Sequence, residues 1–266
     1  MLFATNRIIY DLIQAIAPFE SQEEFDNAGL LVGRMDQEVR RVLIALDASP
    51  KVVAEAVGKD AQLLITHHPL MFHAIREIRS DVYEGALLAE LISAKLSLIS
   101  AHTNLDQSAI ASGALIAEMM KLSGIRRVVS DKYLFLGDLE KPMTAQALGR
   151  TICKTLGCPI ICYGDKNKPI GTLAVAGGAY DAGYLNARDA GADALLTGEV
   201  RHHNAMAAAE TSFVLFAGGH YQTEVWMMHK LCDYLQRELN ALKYHVEVYA
   251  SEIHHDSEGY TLEEEA

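Results

Sequence analysis

Five residues of this 266-residue chain have the types and spacing to bind metal: His67, His68, Asp106, His220 and Glu224. Neutral imidazole is the commonest protein metal ligand, and His67 and His68 stand side by side ahead of Pro69. Adjacent residues at a strand end normally point opposite ways, so both rings face one cavity only if the chain turns there. His220 and Glu224 are four apart at the start of an expected helix and share one of its faces. Gly218 and Gly219 before them let the backbone turn sharply. Three imidazoles and two carboxylates are more than one tetrahedral zinc takes from protein. They suit two divalent ions about 3.5–4 Å apart, with a carboxylate and a water bridging. Mixed nitrogen and oxygen ligands admit zinc, iron, manganese, cobalt or nickel. His102, on the strand end that leads to Asp106, is either a group behind the ligands, a proton shuttle or a general acid/base.

Four apolar runs have polar, chelating residues at their carboxyl ends. Val42 to Leu46 ends at Asp47, and Leu63 to Thr66 ends at His67 and His68. Leu96 to Ala101 ends at His102, and Phe213 to Ala217 ends at Gly218-Gly219-His220. Helical stretches over Pro50–Gly58 and Glu84–Lys95 lie between the early ones. Alternation of strand and helix predicts parallel strands buried on both faces, with ligands beyond the strands' carboxyl ends. An amphipathic helix over 6–17 precedes them, with Ile8, Ile9, Leu12, Ile13 and Ile16 at helical spacing.

The fold class expected is α/β: a two-lobed subunit with mixed, largely parallel sheets flanked by helices. Residues 1–125 form the first lobe with most of the metal ligands. A second α/β lobe spans 126–211, and 212–266 returns to complete the first lobe and its metal site. The second lobe opens with a polar, turn-rich stretch from Asp131 to Met143. A helix from Thr144 to Leu156 follows, capped by the threonine. Strands over Ile160–Tyr163, Gly171–Ala176 and Ala192–Leu196 come next, with helices near Ala182–Ala190 and after Val200. The stretch from Val42 to Thr66 resembles that from Leu173 to Thr197, through internal duplication or because such units read alike. A long helix from Thr223 to Leu242 and a closing strand from Tyr244 to Tyr249 end the ordered pattern, and the Glu263-Glu264-Glu265 tail is expected to be disordered.

A net charge of −12 argues against non-specific nucleic-acid binding, which needs a basic surface. No apolar stretch nears the roughly 18 residues of a membrane span, and the N-terminus lacks a signal-peptide pattern, so a cytoplasmic protein is expected. Cys153, Cys158, Cys162 and Cys232 follow no zinc-ribbon pattern and read as reduced thiols, mostly core filler. Other histidines need separating from the ligand set. His202 reads as exposed and His203 as a candidate cavity residue. His254-His255-Asp256 reads as a solvated patch and His229 as packed on its helix. Met227 and Met228 read as core or subunit contact.

Several segments together resemble one family, the dinuclear metal-binding, ring-forming proteins called GTP cyclohydrolase 1 type 2-like (Nif-three-like). They are Asp26-Asn27-Ala28-Gly29-Leu30-Leu31-Val32-Gly33, Thr66-His67-His68-Pro69, Ala101-His102-Thr103-Asn104-Leu105-Asp106, Leu196-Thr197-Gly198-Glu199 with His203, and Gly219-His220 with Glu224. The resemblance covers essentially the whole chain. It implies that His67, His68, Asp106, His220 and Glu224 hold two metals in a toroidal homohexamer. Phe25 stands where the family usually has tryptophan, a swap expected to preserve packing. Gly177-Gly178-Ala179-Tyr180 lacks the small Gly/Ser run often seen there, and the inserted domain of some members is absent.

Two functions follow as expectations. The first is a metal-dependent hydrolase, in which metal-activated water attacks a C=N or C–N centre of a nucleotide or related heterocycle. The resemblance suggests GTP, with imidazole-ring opening and loss of formate; there is no Walker-type loop for a triphosphate. The second is a non-catalytic metal-binding or interaction protein that delivers or stores metal, or docks a partner.

Overall fold

The computed structural model describes residues 2–253, which fall into two compact units. The first combines the chain up to Ala111 with Val225–Ile253, and the second is Ser112–Glu224. The His254-His255-Asp256 and Glu263-Glu264-Glu265 segments lie outside the described residues.

The first unit is built on a five-stranded sheet. Its order is Glu247–Ala250, Arg41–Ala45, Leu63–Thr66, Ser97–Ser100, Gly29–Val32. The first four strands run parallel and Gly29–Val32 is antiparallel. Every residue of Leu63–Thr66 and Ser97–Ser100 is buried, as strands covered on both faces require. Helix Pro50–Gly58 starts where Ser49 accepts a hydrogen bond from Val52 N and Pro50 presets the first turn. With helix Tyr83–Ser93 it packs Val52, Val53, Ala56, Leu87 and Leu91 into the core. The register sets Ala45, Thr66 and Ser100 level across three neighbouring strands. Asp47, His67, His68 and His102 therefore follow at the carboxyl end of these three strands.

The second unit has a six-stranded sheet. Its order is Ser123–Arg127, Phe135–Thr144, Pro169–Val175, Ala194–Thr197, Val214–Ala217, Ile161–Tyr163. Only its two central pairings are parallel, so the description "largely parallel" holds for the first sheet and the second is mixed. A short return over residues 128–134 is enough to join antiparallel neighbours, whereas parallel ones need a crossover. Each unit contains one of the two similar strand-helix-strand segments, and each of these is a parallel pair. Helix Ala145–Leu156 begins as expected, with Thr144 Oγ1 accepting from Ala147 N.

Three features depart from the sequence expectation. Phe135–Thr144 is a ten-residue strand within the stretch read as turns. Pro142 is tolerated because residues 139–142 bulge opposite Gly171, between the pairs Asp138–Thr172 and Met143–Ile170. The return to the first lobe starts at Val225, not at 212, because Val214–Ala217 pairs with Ala194–Thr197 and belongs to the second sheet. All four cysteines are free, but only Cys158 is buried, while Cys153 and Cys162 are exposed. Among the described residues, no helix is long and apolar enough to cross a membrane.

Candidate metal sites

In the first unit the chain turns immediately after Thr66. The N–H groups of His67 and His68 both donate to Leu46 O, and Thr66 Oγ1 donates to His68 O. This turn brings the two adjacent rings to 4.9 Å between centroids, rather than to opposite faces of the sheet. His102 joins them, its ring 5.0 Å from His67 and 5.5 Å from His68. Each of the three offers a nitrogen within 4.8 Å of the other two. His67 is fully buried, while the His68 side chain is 25% exposed. Asp106 ends the short helix Thr103–Asp106 and sets Oδ1 3.7 Å from His67 Nε2.

The rings share one hydrogen-bond logic. His67 Nδ1 lies 2.8 Å from Ala101 O, His68 Nδ1 2.7 Å from Asp47 Oδ1, and His102 Nδ1 2.8 Å from Asp26 Oδ1. Carbonyl and ionised carboxylate oxygens can only accept, so each Nδ1 carries the proton. In a neutral ring Nε2 is then the lone-pair nitrogen, the tautomer a metal ligand needs.

The Asp26 side chain is wholly buried. Its burial alone would raise its pKa, but hydrogen bonds from His102 and then from Thr103 override this and hold the carboxyl well below the ordinary carboxylate range. Its second oxygen accepts from both the N–H and the hydroxyl of Thr103.

In the second unit His220 opens its helix after Gly219, whose φ of +83° suits glycine. His220 Nδ1 lies 2.7 Å from Glu199 Oε1, the same arrangement as in the first unit. Its Nε2 is 3.0 Å from Glu224 Oε2, one helical turn on. A lone-pair nitrogen and an ionised carboxylate at that distance must share a proton or a cation. The backbone at Gly178 (φ +61°) and Gly198 comes so close that added Cβ atoms would stand 2.1 Å from Glu224 Oε1 and 2.8 Å from His220 Cα. Thr223 locks this packing by accepting from Gly178 N and donating to Gly219 O.

The donor set fits divalent metal. Among the described residues there are two ligand clusters, one of His67, His68 and His102 and another around His220 and Glu224. Imidazole nitrogens oriented by oxygen acceptors, together with carboxylates, are the groups a pair of divalent ions requires.

A model of the Duf34/NIF3 (NGG1p interacting factor 3) family matches residues 4–257. The chain belongs to that family. It is similar to the GTP cyclohydrolase 1 type 2 homolog of Clostridium perfringens, at 30% identity over 243 residues, 88% of this chain and 92% of the relative. The homolog of the same name in Streptomyces coelicolor is 34% identical over 224 residues, 80% of this chain and 79% of its own length. The crystal structure of Staphylococcus aureus protein SA1388 superposes with a TM-score of 0.90 at 26% identity, covering 97% of this chain and 99% of that one.

Several residues of this Duf34/NIF3 chain sit differently from expectation. His229 is exposed beside Trp226 rather than packed, because it falls on the open face of its helix. Phe25 is 64% exposed, and the ring contact it makes is with the exposed Phe72 rather than with the core. His203, read as a candidate cavity residue, is exposed and lies outside either cluster. His202 is exposed and Met227 and Met228 are core, as expected.

Asp26, Asp47 and Glu199 are the residues whose roles the sequence leaves unassigned, although Asp26 and Glu199 lie inside the family segments. Asp26→Asn keeps the shape but can present an amide where His102 needs an acceptor. His102 is not among the five residues expected to hold metal, so metal affinity is expected to hold while the orientation of the His102 ring is lost. Titration with a divalent ion under a competing chelator checks this, and a fall of about 10- to 100-fold, the scale for loss of a group that orients a ligand, would place His102 among the ligands.

Proposed function

We propose that this Duf34/NIF3 protein is a metal-dependent hydrolase acting on a nucleotide or related heterocycle, with ring opening and formate release as in a GTP cyclohydrolase. His67, His68, Asp106, His220 and Glu224 are the proposed ligands of two divalent ions, with metal identity open among zinc, iron, manganese, cobalt and nickel. When bound, such ions supply Lewis-acid polarisation and water made acidic enough to react near neutral pH.

The observation that carries this reading is the shared orientation of four imidazoles, each with Nδ1 on an oxygen acceptor. His102 is the residue proposed to move a proton. Asp26 holds its Nδ1–H, which leaves Nε2 to take a proton from water and return it to a leaving nitrogen. The names of the Clostridium and Streptomyces relatives support GTP as the first substrate to try.

The test is incubation of protein of defined metal content with GTP and a panel of other nucleotides, following formate. Release is expected to require metal and to fall at least about 100-fold in His102→Ala, the usual scale of general acid–base catalysis. Absence of turnover with every divalent metal, while His67→Ala still abolishes metal binding, would sink the hydrolase. It would favour the metal-delivery, storage or docking reading.

The proposal includes a cytoplasmic homohexameric ring. Four free cysteines accord with a reducing compartment. A solution mass near that of one chain would refute the ring.

A further inference from the structure

We infer that Phe25 and Phe72 form an aromatic platform in the first unit that binds the planar ring of an anionic heterocycle beside His102. This deepens the hydrolase reading by placing the ligand's ring, and it rests on that reading for the metals but not for turnover.

Phe25 is 64% exposed and Phe72 is 40% exposed, yet their ring centroids lie only 6.1 Å apart with the planes at 53°. Phe72 also meets the His102 ring edge-on, 6.1 Å away at 79°. Single exposed apolar side chains are commonplace; two aromatics in tilted contact next to a histidine cluster are not scattered exposure. Neither ring hangs on slack chain. Phe25 directly precedes Asp26, whose buried carboxylate is pinned by His102 and Thr103. Phe72 lies four residues after His68, and Asn27 Nδ2 donates to Met71 O at 2.7 Å, tying the two segments together. The hydrogen bonds that orient His102 therefore also place the platform.

The chemistry of the surroundings selects the ligand. An aromatic face also attracts organic cations. Here the imidazoles are neutral, and Asp26, Asp47 and Asp106 lie against them. The pull on an anionic oxygen therefore comes from the divalent ions proposed for His67, His68 and Asp106, which take phosphate oxygens at open coordination positions and repel a cation. What remains is a planar heterocycle carrying phosphate or another anion. Stacking tolerates any π-face, so the platform sets ring class rather than one base.

The test measures binding of GTP, and of inorganic triphosphate as the ring-free control, to the metal-loaded full chain by calorimetry. Wild type is expected to bind GTP more tightly than triphosphate. Phe25→Ala and Phe72→Ala are each expected to weaken GTP binding about 5- to 150-fold, the range for loss of one stacking aromatic. Triphosphate binding and metal content should stay unchanged, and Phe72→Trp should retain GTP affinity. Both side chains are exposed, so the variants should fold, with melting temperature as the check. GTP binding without turnover of GTP or of any other nucleotide in the panel would keep the platform and sink the hydrolase. Equal wild-type affinity for GTP and triphosphate would overturn the platform, as would alanine variants that bind GTP normally. A change of assembly mass in those variants with GTP affinity intact would also overturn it and assign the rings to contact with a second copy.

Discussion

Replacing His67 by alanine is expected to cost the protein at least one of its two metals, with affinity at the damaged position lowered more than about 100-fold. Loss of a residue that merely orients a ligand already costs 10- to 100-fold, so loss of a ligand itself should exceed that range. His67 is the right position to probe because it is wholly buried and its Nδ1 is committed to Ala101 O. The deletion also leaves a cavity, with a stability cost in the range of about 2–5 kcal/mol seen for large-to-alanine changes in cores. Metal content by elemental analysis is therefore read alongside circular dichroism and a melting curve. Folded protein with reduced metal supports the assignment. Wild-type metal content in the double variant His67→Ala, His220→Ala would remove it altogether.

Gly178→Ala is expected to separate the function of Glu224 from the stability of the second unit. The added Cβ would stand 2.1 Å from Glu224 Oε1, and the backbone is left-handed at φ +61°. The clashing atom is the end of a flexible side chain, so the carboxylate swings aside rather than the backbone giving way. The stability cost should then be close to the left-handed penalty alone, about 1–2 kcal/mol. For a chain of this size that is a fall of roughly 2–8 °C in melting temperature.

Metal affinity should drop as far as it does in Glu224→Ala. Gly191→Ala is the control, because Gly191 is also left-handed (φ +89°) but has nothing within 4 Å of the added carbon. It should lose comparable stability and keep its metal. If both variants retain wild-type affinity, the close approach of Gly178 to Glu224 has no role in metal binding.

Much of the scaffold is legible in the sequence for a simple reason. Leu63–Thr66 is a short, mostly apolar run between Gln62 and His67, and Val214–Ala217 is one that ends at Gly218-Gly219; burial on both faces leaves that mark directly on the chain. Pro50–Gly58 carries its own start signal in Ser49-Pro50. By contrast, Phe135–Thr144 reads as turns because Gly137, Asp138 and Pro142 are local breakers, whereas two partner strands and a bulge override local preference.

The chain by itself determined that His67, His68 and His220 follow strand ends. Residue type and position along a strand are local properties, and parallel strands present their carboxyl ends together. Tertiary structure decided how the imidazoles are oriented. Asp26 meets His102 across 76 positions of sequence, and Asp47 meets His68, and Glu199 His220, across 21. The Asp26–His102 pairing has no repeat spacing, and the other two join successive strand ends of a strand-helix-strand unit, where spacing alone does not say which side chain meets which ring. They exist only where strand register and the turn after Thr66 bring an acceptor within 3 Å of one ring nitrogen, which leaves the other for chemistry.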